Sequence, residues 1–285
     1  MDSLVSTEWL AAELGAADLR ILDATTFLPG TGRDARAEYE AAHIPDAQYF
    51  DIEQVSDPDS PYPHTWPPAF LFASRMRALG LDNHDRIVVY DNSPIHTSAR
   101  AWWMLRSFGA RQVAILDGGL AKWVDEGRAL ESGTPAPAAG HFAANPPASG
   151  LLGKAAMLAL VGDPGHAIAD ARPAARFRAD APEPRPGLEA GHIPGSRSLP
   201  QSEFFHPDNT FKQDAELSAL FDEAGVDLAK PLVATCGSGV TACVILFGAH
   251  LLGKDDLGLY DGSWSEWGAD PETPKAQGSS VTGAA

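Results

Sequence analysis

Short apolar runs alternate with longer stretches of helical periodicity along most of this chain. The apolar runs predict strands at 19–24, 86–90, 112–117, 166–170, 231–235 and 256–261. Two stretches, 97–108 and 240–252, each follow a strand and its loop directly and predict helices. Because strands that alternate with helices form mostly parallel sheets with helices on both faces, the pattern predicts an α/β fold.

The chain carries the same landmarks twice and in the same order. The first set is Leu22-Asp23-Ala24, Ala42-His43-Ile44-Pro45, Ile87-Val88-Val89-Tyr90-Asp91 and Leu116-Asp117-Gly118-Gly119 with Trp123, and the second is Ala169-Asp170-Ala171, Gly191-His192-Ile193-Pro194, Leu232-Val233-Ala234-Thr235-Cys236 and Tyr260-Asp261-Gly262-Ser263 with Trp267. Such a repeat predicts two tandem domains, at 1–130 and 151–285, joined by an Ala-, Pro- and Gly-rich linker at 131–150. The tail after Pro271 is expected to be loosely ordered.

The most reactive group predicted from the sequence is Cys236, which lies between an apolar strand and a helix. A thiol in this position faces unpaired backbone N–H groups and the positive end of the helix dipole, which favour the thiolate. Gly237 and Gly239 permit the tight backbone path that turns several N–H groups inward. We expect a nucleophile in an anion-stabilising loop. In the first half, Asp91 stands at the equivalent position, so that domain lacks the nucleophile.

Composition excludes several classes of function. The 285 residues carry a net charge of −17, which argues against binding to nucleic acid or to anionic lipid. Two cysteines do not form a disulfide framework, and no apolar run is long enough to span a membrane. The amino terminus lacks the pattern of a signal peptide, so a soluble, cytoplasmic protein is expected. The nine histidines show no metal-ligand spacing and no Gly-rich phosphate motif is present, so neither a metal nor another cofactor is expected.

With its repeat and its Cys-Gly-Ser-Gly-Val-Thr loop at 236–241, the chain resembles the tandem-domain sulfurtransferases of the rhodanese superfamily. More narrowly, it is similar to the 3-mercaptopyruvate sulfurtransferases, and the similarity extends over nearly the whole chain. The resemblance implies two rhodanese-like domains with the active site between them. It also implies a Cys236 persulfide that passes sulfur to cyanide or to a thiol, either a small thiol or a thioredoxin-like protein. Gly237, Gly239, Val240 and Thr241 would then surround the transferred sulfur.

The resemblance also assigns residues to the donor. Arg176 and Arg185 match the family's two substrate arginines, and guanidinium groups suit planar carboxylate and keto oxygens. Thiosulfate sulfurtransferases carry basic residues inside the loop, where this chain has Gly237 and Ser238. A loop without a cationic side chain favours a donor such as mercaptopyruvate, which has less charge near the sulfur that is transferred.

A proton relay is the last feature that the resemblance implies. Its positions correspond to Ser238, His64 and Glu53, and Asp51 is an alternative to Glu53. The relay would protonate the enolate that forms when mercaptopyruvate loses its sulfur.

Three alternatives remain open from the sequence. A thiosulfate:cyanide sulfurtransferase would use the same mechanism with another donor. A non-catalytic sulfur-relay or binding scaffold fits the first domain better than the second. A cysteine phosphatase is disfavoured because Ala242 stands six residues after Cys236, where that chemistry needs an arginine.

Overall fold

Each half of the chain folds around a five-stranded parallel sheet. A computed structural model describes residues 1–146 and 150–279. The strands of the first sheet lie in the order β1-β5-β4-β2-β3, and those of the second lie in the corresponding order β6-β10-β9-β7-β8. All the strand pairs are parallel. The predicted α/β fold with two rhodanese-like domains is confirmed.

The first sheet contains β1 (Leu4–Val5), β2 (Leu19–Asp23), β3 (Gln48–Tyr49), β4 (Arg86–Tyr90) and β5 (Gln112–Leu116). Its helices are α1 (Thr7–Glu13), α2 (Ala35–Ala41), α3 (Ile52–Val55), α4 (Ala69–Ala78), α5 (Ser98–Ser107) and α6 (Gly119–Asp125). On the central strand β4, Ile87, Val88, Val89 and Tyr90 are all fully buried. Because successive side chains on a strand point to opposite faces, both faces of this sheet are covered.

The second sheet contains β6 (Leu151–Leu152), β7 (Ala167–Asp170), β8 (Arg197–Ser198), β9 (Leu232–Thr235) and β10 (Leu257–Tyr260). Its α-helices are α7 (Lys154–Leu160), α8 (Ala174–Phe177), α9 (Asp214–Glu223), α10 (Ala242–Leu251) and α11 (Ser263–Trp267), and a 3₁₀ turn spans Gln201–Phe204. Helix α10 buries eight successive residues, from Ala242 to Ala249. A helix that is apolar on all sides belongs in the interior, so α10 forms the centre of this half.

Two short segments belong to a different unit from the one that the predicted boundaries gave them. The described residues divide into a first unit at 1–58, 66–146 and 205–211 and a second unit at 59–65, 150–204 and 212–279. Segment 205–211 joins the first unit because Phe205 stacks on His96 and the Phe211 N–H donates to Asp117. Composition gives no sign of such excursions, because they depend on contacts between residues far apart in sequence.

The region predicted as a linker contacts the first unit at several points along its described length. Glu131 pairs with His43 in an isolated bridge, and the Gly140 N–H donates to the Arg77 carbonyl. Phe142 is fully buried against Phe72. Residues 147–149 of the predicted linker lie outside the described residues. The stretch 131–146 therefore contributes to the core of the first unit.

The expectation of a loosely ordered tail after Pro271 is wrong for residues 272–279. Ala276 pairs with His192, and Thr273 is buried with its hydroxyl donating to the Trp267 carbonyl. The last six residues, 280–285, lie outside the described residues. The turn-forming residues in 272–279 indicate an irregular segment, but they do not predict its contacts with residues such as His192.

Candidate active site

Cys236 follows β9 directly and precedes α10, at the carboxyl end of a central parallel strand. Its side chain is buried, and it is a free thiol. The Cys236 N–H donates to the Ser263 Oγ at 3.2 Å, and the Cys236 carbonyl accepts from the Trp264 N–H at 2.9 Å. The open end of a parallel sheet is where α/β proteins bind ligands, so the fold places this cysteine in a binding position.

The loop after Cys236 has backbone N–H groups without a hydrogen-bond acceptor among the residues that the structure describes. Within the described part of the chain, the N–H groups of Gly237, Ser238, Val240 and Thr241 donate to no protein acceptor. Gly239 has a φ of 77°, a conformation that glycine adopts without a steric penalty. N–H groups that are left unpaired at the beginning of a helix attract an anion. The ten-residue helix α10 adds its dipole to this effect.

The hydroxyl of Ser238 lies 2.8 Å from Nδ1 of His64. Both residues belong to the second unit, although 174 positions separate them. His64 has a φ of 61°, which is unusual for a residue other than glycine and marks a constrained backbone. A serine and an imidazole in hydrogen-bond contact can pass a proton from one to the other.

Glu53 and Asp51 occupy the first unit, at the beginning of α3. The Asp51 carboxylate caps this helix: it accepts from the N–H groups of Glu53 and Gln54 and from the Gln54 side chain. The carboxylate of Asp51 is therefore engaged as the cap of α3. The Glu53 side chain is exposed.

The guanidinium of Arg176 lies beside the reactive loop. A Cβ added to Gly237 would stand 3.4 Å from Nη2 of Arg176, and the same Nη2 forms an ion pair with Glu183. The Nε of Arg176 is buried and has no hydrogen-bond partner among the described residues. The structure therefore places a guanidinium group next to Gly237, and its buried Nε is not engaged by any described residue.

A series of buried ion pairs fixes the position of Arg176. Glu183 bridges Arg176 and Arg172, and Arg172 makes a two-pronged contact with Asp170. Burial alone would lower the pKa of Arg172, but the charges of Asp170 and Glu183 outweigh burial and raise it. Arg172 also lies 4.3 Å from the centre of the Trp264 ring. Asp170, Arg172 and Glu183 are not among the site residues predicted from the sequence, although Asp170 ends a strand just as Cys236 follows one.

Arg185 has no ion pair or hydrogen bond to another described residue, and it is partly exposed. Its charge is therefore available to an incoming anion.

The equivalent loop in the first unit is occupied by its own side chain. The two oxygens of Asp91 accept from the N–H groups of Ser93 and Ser98, at 2.9 and 2.7 Å. The Asp91 carbonyl accepts from the Leu120 N–H, as the Cys236 carbonyl accepts from Trp264. The first unit thus uses its own carboxylate to bind the N–H of Ser93, whereas the N–H of Ser238, at the same distance after Cys236, has no acceptor among the described residues.

Among residues 1–146 and 150–279, no three histidine, cysteine, aspartate or glutamate side chains are grouped as a metal would require. The same residues contain no helix of sufficient length and apolarity to cross a membrane.

Known proteins of similar sequence and structure share this two-domain architecture. The rhodanese-like domain model matches residues 6–126 and 154–270. The chain is 43% identical to the 3-mercaptopyruvate sulfurtransferase of Rattus norvegicus over 98% of this chain and 97% of that protein. It is 41% identical to the thiosulfate sulfurtransferase of Cricetulus griseus, over 98% and 96%. The crystal structure of SseA from Escherichia coli, described as a 3-mercaptopyruvate sulfotransferase, matches with a TM-score of 0.85 and 39% identity, over 93% of this chain and 99% of that one. The chain belongs to the rhodanese family, with two copies of the domain.

Proposed function

We propose that this protein is a 3-mercaptopyruvate sulfurtransferase, which receives sulfur on Cys236 and releases pyruvate. The observation that carries the proposal is the set of open N–H groups between Gly237 and Thr241. They face the place where a thiolate or a persulfide anion must be stabilised. The relatives named for this activity, at 43% identity over nearly the full chain, support the same conclusion.

In the first step, the Cys236 thiolate attacks the sulfur of the donor. A sulfur–sulfur bond forms, and the sulfur–carbon bond breaks, leaving its electron pair on the carbon fragment as the enolate of pyruvate. The proton of the donor thiol then passes to that carbon, so the products are pyruvate and the Cys236 persulfide anion. Ser238 and His64, in hydrogen-bond contact, are placed to carry this proton.

In the second step, an acceptor attacks the outer sulfur of the persulfide. A thiolate acceptor forms its own persulfide and returns Cys236 as a thiolate, and cyanide in the same role gives thiocyanate. We propose a small thiol or a thioredoxin-like protein as the acceptor. The net charge of −17 disfavours nucleic acid and anionic membranes as partners. Two free cysteines fit a reducing, cytoplasmic location.

The arginines bind the donor in this proposal. Arg185, which no described residue neutralises, would take the carboxylate. Arg176, fixed by Glu183 beside Gly237, would take the keto oxygen, where charge develops as the enolate forms. A planar fork suits both groups better than a lysine ammonium would.

A thiosulfate sulfurtransferase is the second candidate. It is favoured by relatives of that name, at 41% and 42% identity. Thiosulfate leaves as sulfite, a dianion, and the loop from Gly237 to Thr241 has no cationic side chain of its own to stabilise it. The neighbouring Arg176 is already paired with Glu183. This argument places thiosulfate second as a donor.

One experiment separates these functions. The purified protein is mixed with 3-mercaptopyruvate or with thiosulfate, without an acceptor, and its intact mass and the released product are measured. We expect a gain of about 32 Da, one sulfur atom on the thiol, with one pyruvate per chain. Sulfur loading from thiosulfate alone would favour the second candidate, and loading from neither donor would contradict both.

A further inference from the structure

The carbonyl of Gly237 is held by two donors from one residue. The N–H of Ser265 lies 2.8 Å from this oxygen, and the Ser265 hydroxyl lies 2.7 Å from it. A carbonyl oxygen has two acceptor positions, so both are occupied. Ser265 is buried within α11, and its own contacts are therefore protected from water.

Holding a carbonyl also fixes the next N–H group. The peptide bond is planar and trans, and the described chain has no cis peptide. The N–H of Ser238 consequently points in the direction opposite to the Gly237 carbonyl, away from Ser265. That N–H is one of the open donors of the loop. Ser265 thus sets the orientation of the Ser238 N–H through its two hydrogen bonds to the Gly237 carbonyl.

The first unit provides an internal comparison, because segment 117–121 matches segment 261–265. At its third position the first unit has Gly119, with φ of 57°, and the second has Ser263, with φ of 48°. A serine in this conformation costs of the order of 1 kcal/mol or more, and its hydroxyl accepts from the Cys236 N–H. At the fifth position the first unit has Ala121, which has no hydroxyl, and the second has Ser265.

We infer that Ser265 is a positioning residue for sulfur transfer: by holding the Gly237 carbonyl, it aims the Ser238 N–H at the sulfur anion on Cys236. The hydroxyl is present in the unit with the nucleophile, and an alanine stands in its place in the unit where Asp91 fills the loop. The inference rests on the proposed function of the same loop.

The test compares Ser265→Ala with Ser265→Thr and with Ser196→Ala. Ser196 is a matched control, because it is buried in the same unit and its hydroxyl also donates to a backbone carbonyl, that of Ile193, at 2.7 Å. Steady-state kinetics with 3-mercaptopyruvate, the rate of persulfide formation in a single turnover and the melting temperature are measured for each variant.

We expect Ser265→Ala to lower kcat and the single-turnover rate about fivefold to tenfold, with KM within about twofold of the unmodified value. This is less than the loss of a donor itself, since the Ser265 N–H still holds the carbonyl. Ser196→Ala should lose a similar amount of melting temperature and keep its kcat. Ser265→Thr, which retains the hydroxyl, should recover at least half of the lost rate.

An unchanged kcat in Ser265→Ala would overturn the inference. So would a loss of rate that Ser196→Ala reproduces in proportion to its melting temperature, or a folded threonine variant no faster than the alanine variant. The unmodified protein is loaded with sulfur in the same experiment. If it accepts no sulfur from either donor, the proposed function itself has failed, and that result is distinct from equal rates in the variants.

Discussion

The imidazole of His64 contacts the hydroxyl of Ser238 at 2.8 Å, within a unit that takes His64 from a seven-residue segment, 59–65, of the other half of the sequence. The chain leaves the first unit after residue 58 and returns to it at residue 66. This excursion supplies the imidazole that the Cys236 loop does not itself contain. The proton path that we propose therefore depends on a segment with no regular secondary structure.

Replacing His64 should therefore impair one donor more than the other. His64→Asn suits the positive φ of this position, since asparagine tolerates the left-handed region, but it cannot act as an acid or base near neutral pH. We expect kcat with 3-mercaptopyruvate to fall by about 10²-fold, a typical loss for acid–base catalysis. Sulfite needs no protonation at carbon, so turnover of thiosulfate should change by less than about threefold. Equal losses with both donors would assign His64 a structural role instead.

Cys236→Ser should abolish sulfur transfer, because the nucleophile is lost while the loop keeps its backbone contacts. Cys243→Ser is the matched control. Cys243 is also buried, and its Sγ lies 3.4 Å from the Gly239 carbonyl, which a serine hydroxyl can also reach. Mass spectrometry after exposure to the donor should detect no added sulfur on Cys236→Ser and one added sulfur on Cys243→Ser. Sulfur carried by the Cys236 variant would refute the mechanism.

Arg176→Lys and Arg185→Lys test the binding of the donor while the charge is kept. Each variant loses a planar fork, and Arg176→Lys also loses the geometry of its pair with Glu183. We expect KM for 3-mercaptopyruvate to rise about tenfold in Arg185→Lys, and kcat to fall as well in Arg176→Lys. Arg178→Lys, which alters an exposed pair with Asp180, is the control and should leave both constants unchanged. Normal constants in both test variants would remove these arginines from the site.

The donor preference should be at least about tenfold in catalytic efficiency in favour of 3-mercaptopyruvate, equivalent to about 1.4 kcal/mol at the transition state. Replacing Gly237 with Arg and Ser238 with Lys should narrow this gap or reverse it. Two cations then face a dianionic leaving group, and the Ser238 hydroxyl of the proposed proton relay is lost; a rise in the absolute efficiency with thiosulfate distinguishes the first effect from the second. The Gly237 position has room for a Cβ at ordinary contact distance from Arg176. Comparable efficiencies of the unmodified protein with the two donors would contradict the argument from loop charge.

Asp23 should make the stability of the first unit depend on pH. Burial raises the pKa of Asp23 to about 6, against 3.8 for an unperturbed aspartate. The folded state therefore holds its proton more tightly than the unfolded chain, so stability declines as pH rises from about 4 to 6. Asp23→Asn cannot titrate, and its oxygen can still accept from the Thr25 N–H. We expect this variant to be more stable than the unmodified protein at pH 7 by at most about 3 kcal/mol, with the advantage lost near pH 4. Denaturant unfolding at pH 7 and pH 4 measures the difference in unfolding free energy between the variant and the unmodified protein. An equal difference at the two pH values would exclude the titration of Asp23 as its cause.

The central strands could be predicted from the sequence because apolar runs of four to six residues are distinctive. The structure has strands at all six predicted places, including Leu232–Thr235 for the prediction 231–235. The edge strands β1, β3, β6 and β8 have two residues each, which is too short for a pattern to emerge. They form because a longer neighbour offers its free backbone groups.

The site divides in a similar way. Cys236 and its glycines are adjacent in the sequence, and the position between a strand and a helix gives the loop a physical meaning. The supports of the loop come from elsewhere: Ser263 and Ser265 lie nearly thirty residues away, and the left-handed φ of Ser263 cannot be read from its residue type. The charge chain through Glu183 and Arg172 depends on the path of a loop, which no periodic pattern encodes.

We expect the carboxylate of Asp91 to limit the amount of sulfur that one chain can carry. Its two oxygens accept from the N–H groups of Ser93 and Ser98, so these two donors near the beginning of α5 are not available to an added anion. Although the chain contains two copies of the domain, we therefore expect it to bind one sulfur atom and not two. Treating the sulfur-loaded protein with excess cyanide should therefore yield one thiocyanate per chain, because each catalytic cycle is expected to transfer one sulfur atom at Cys236.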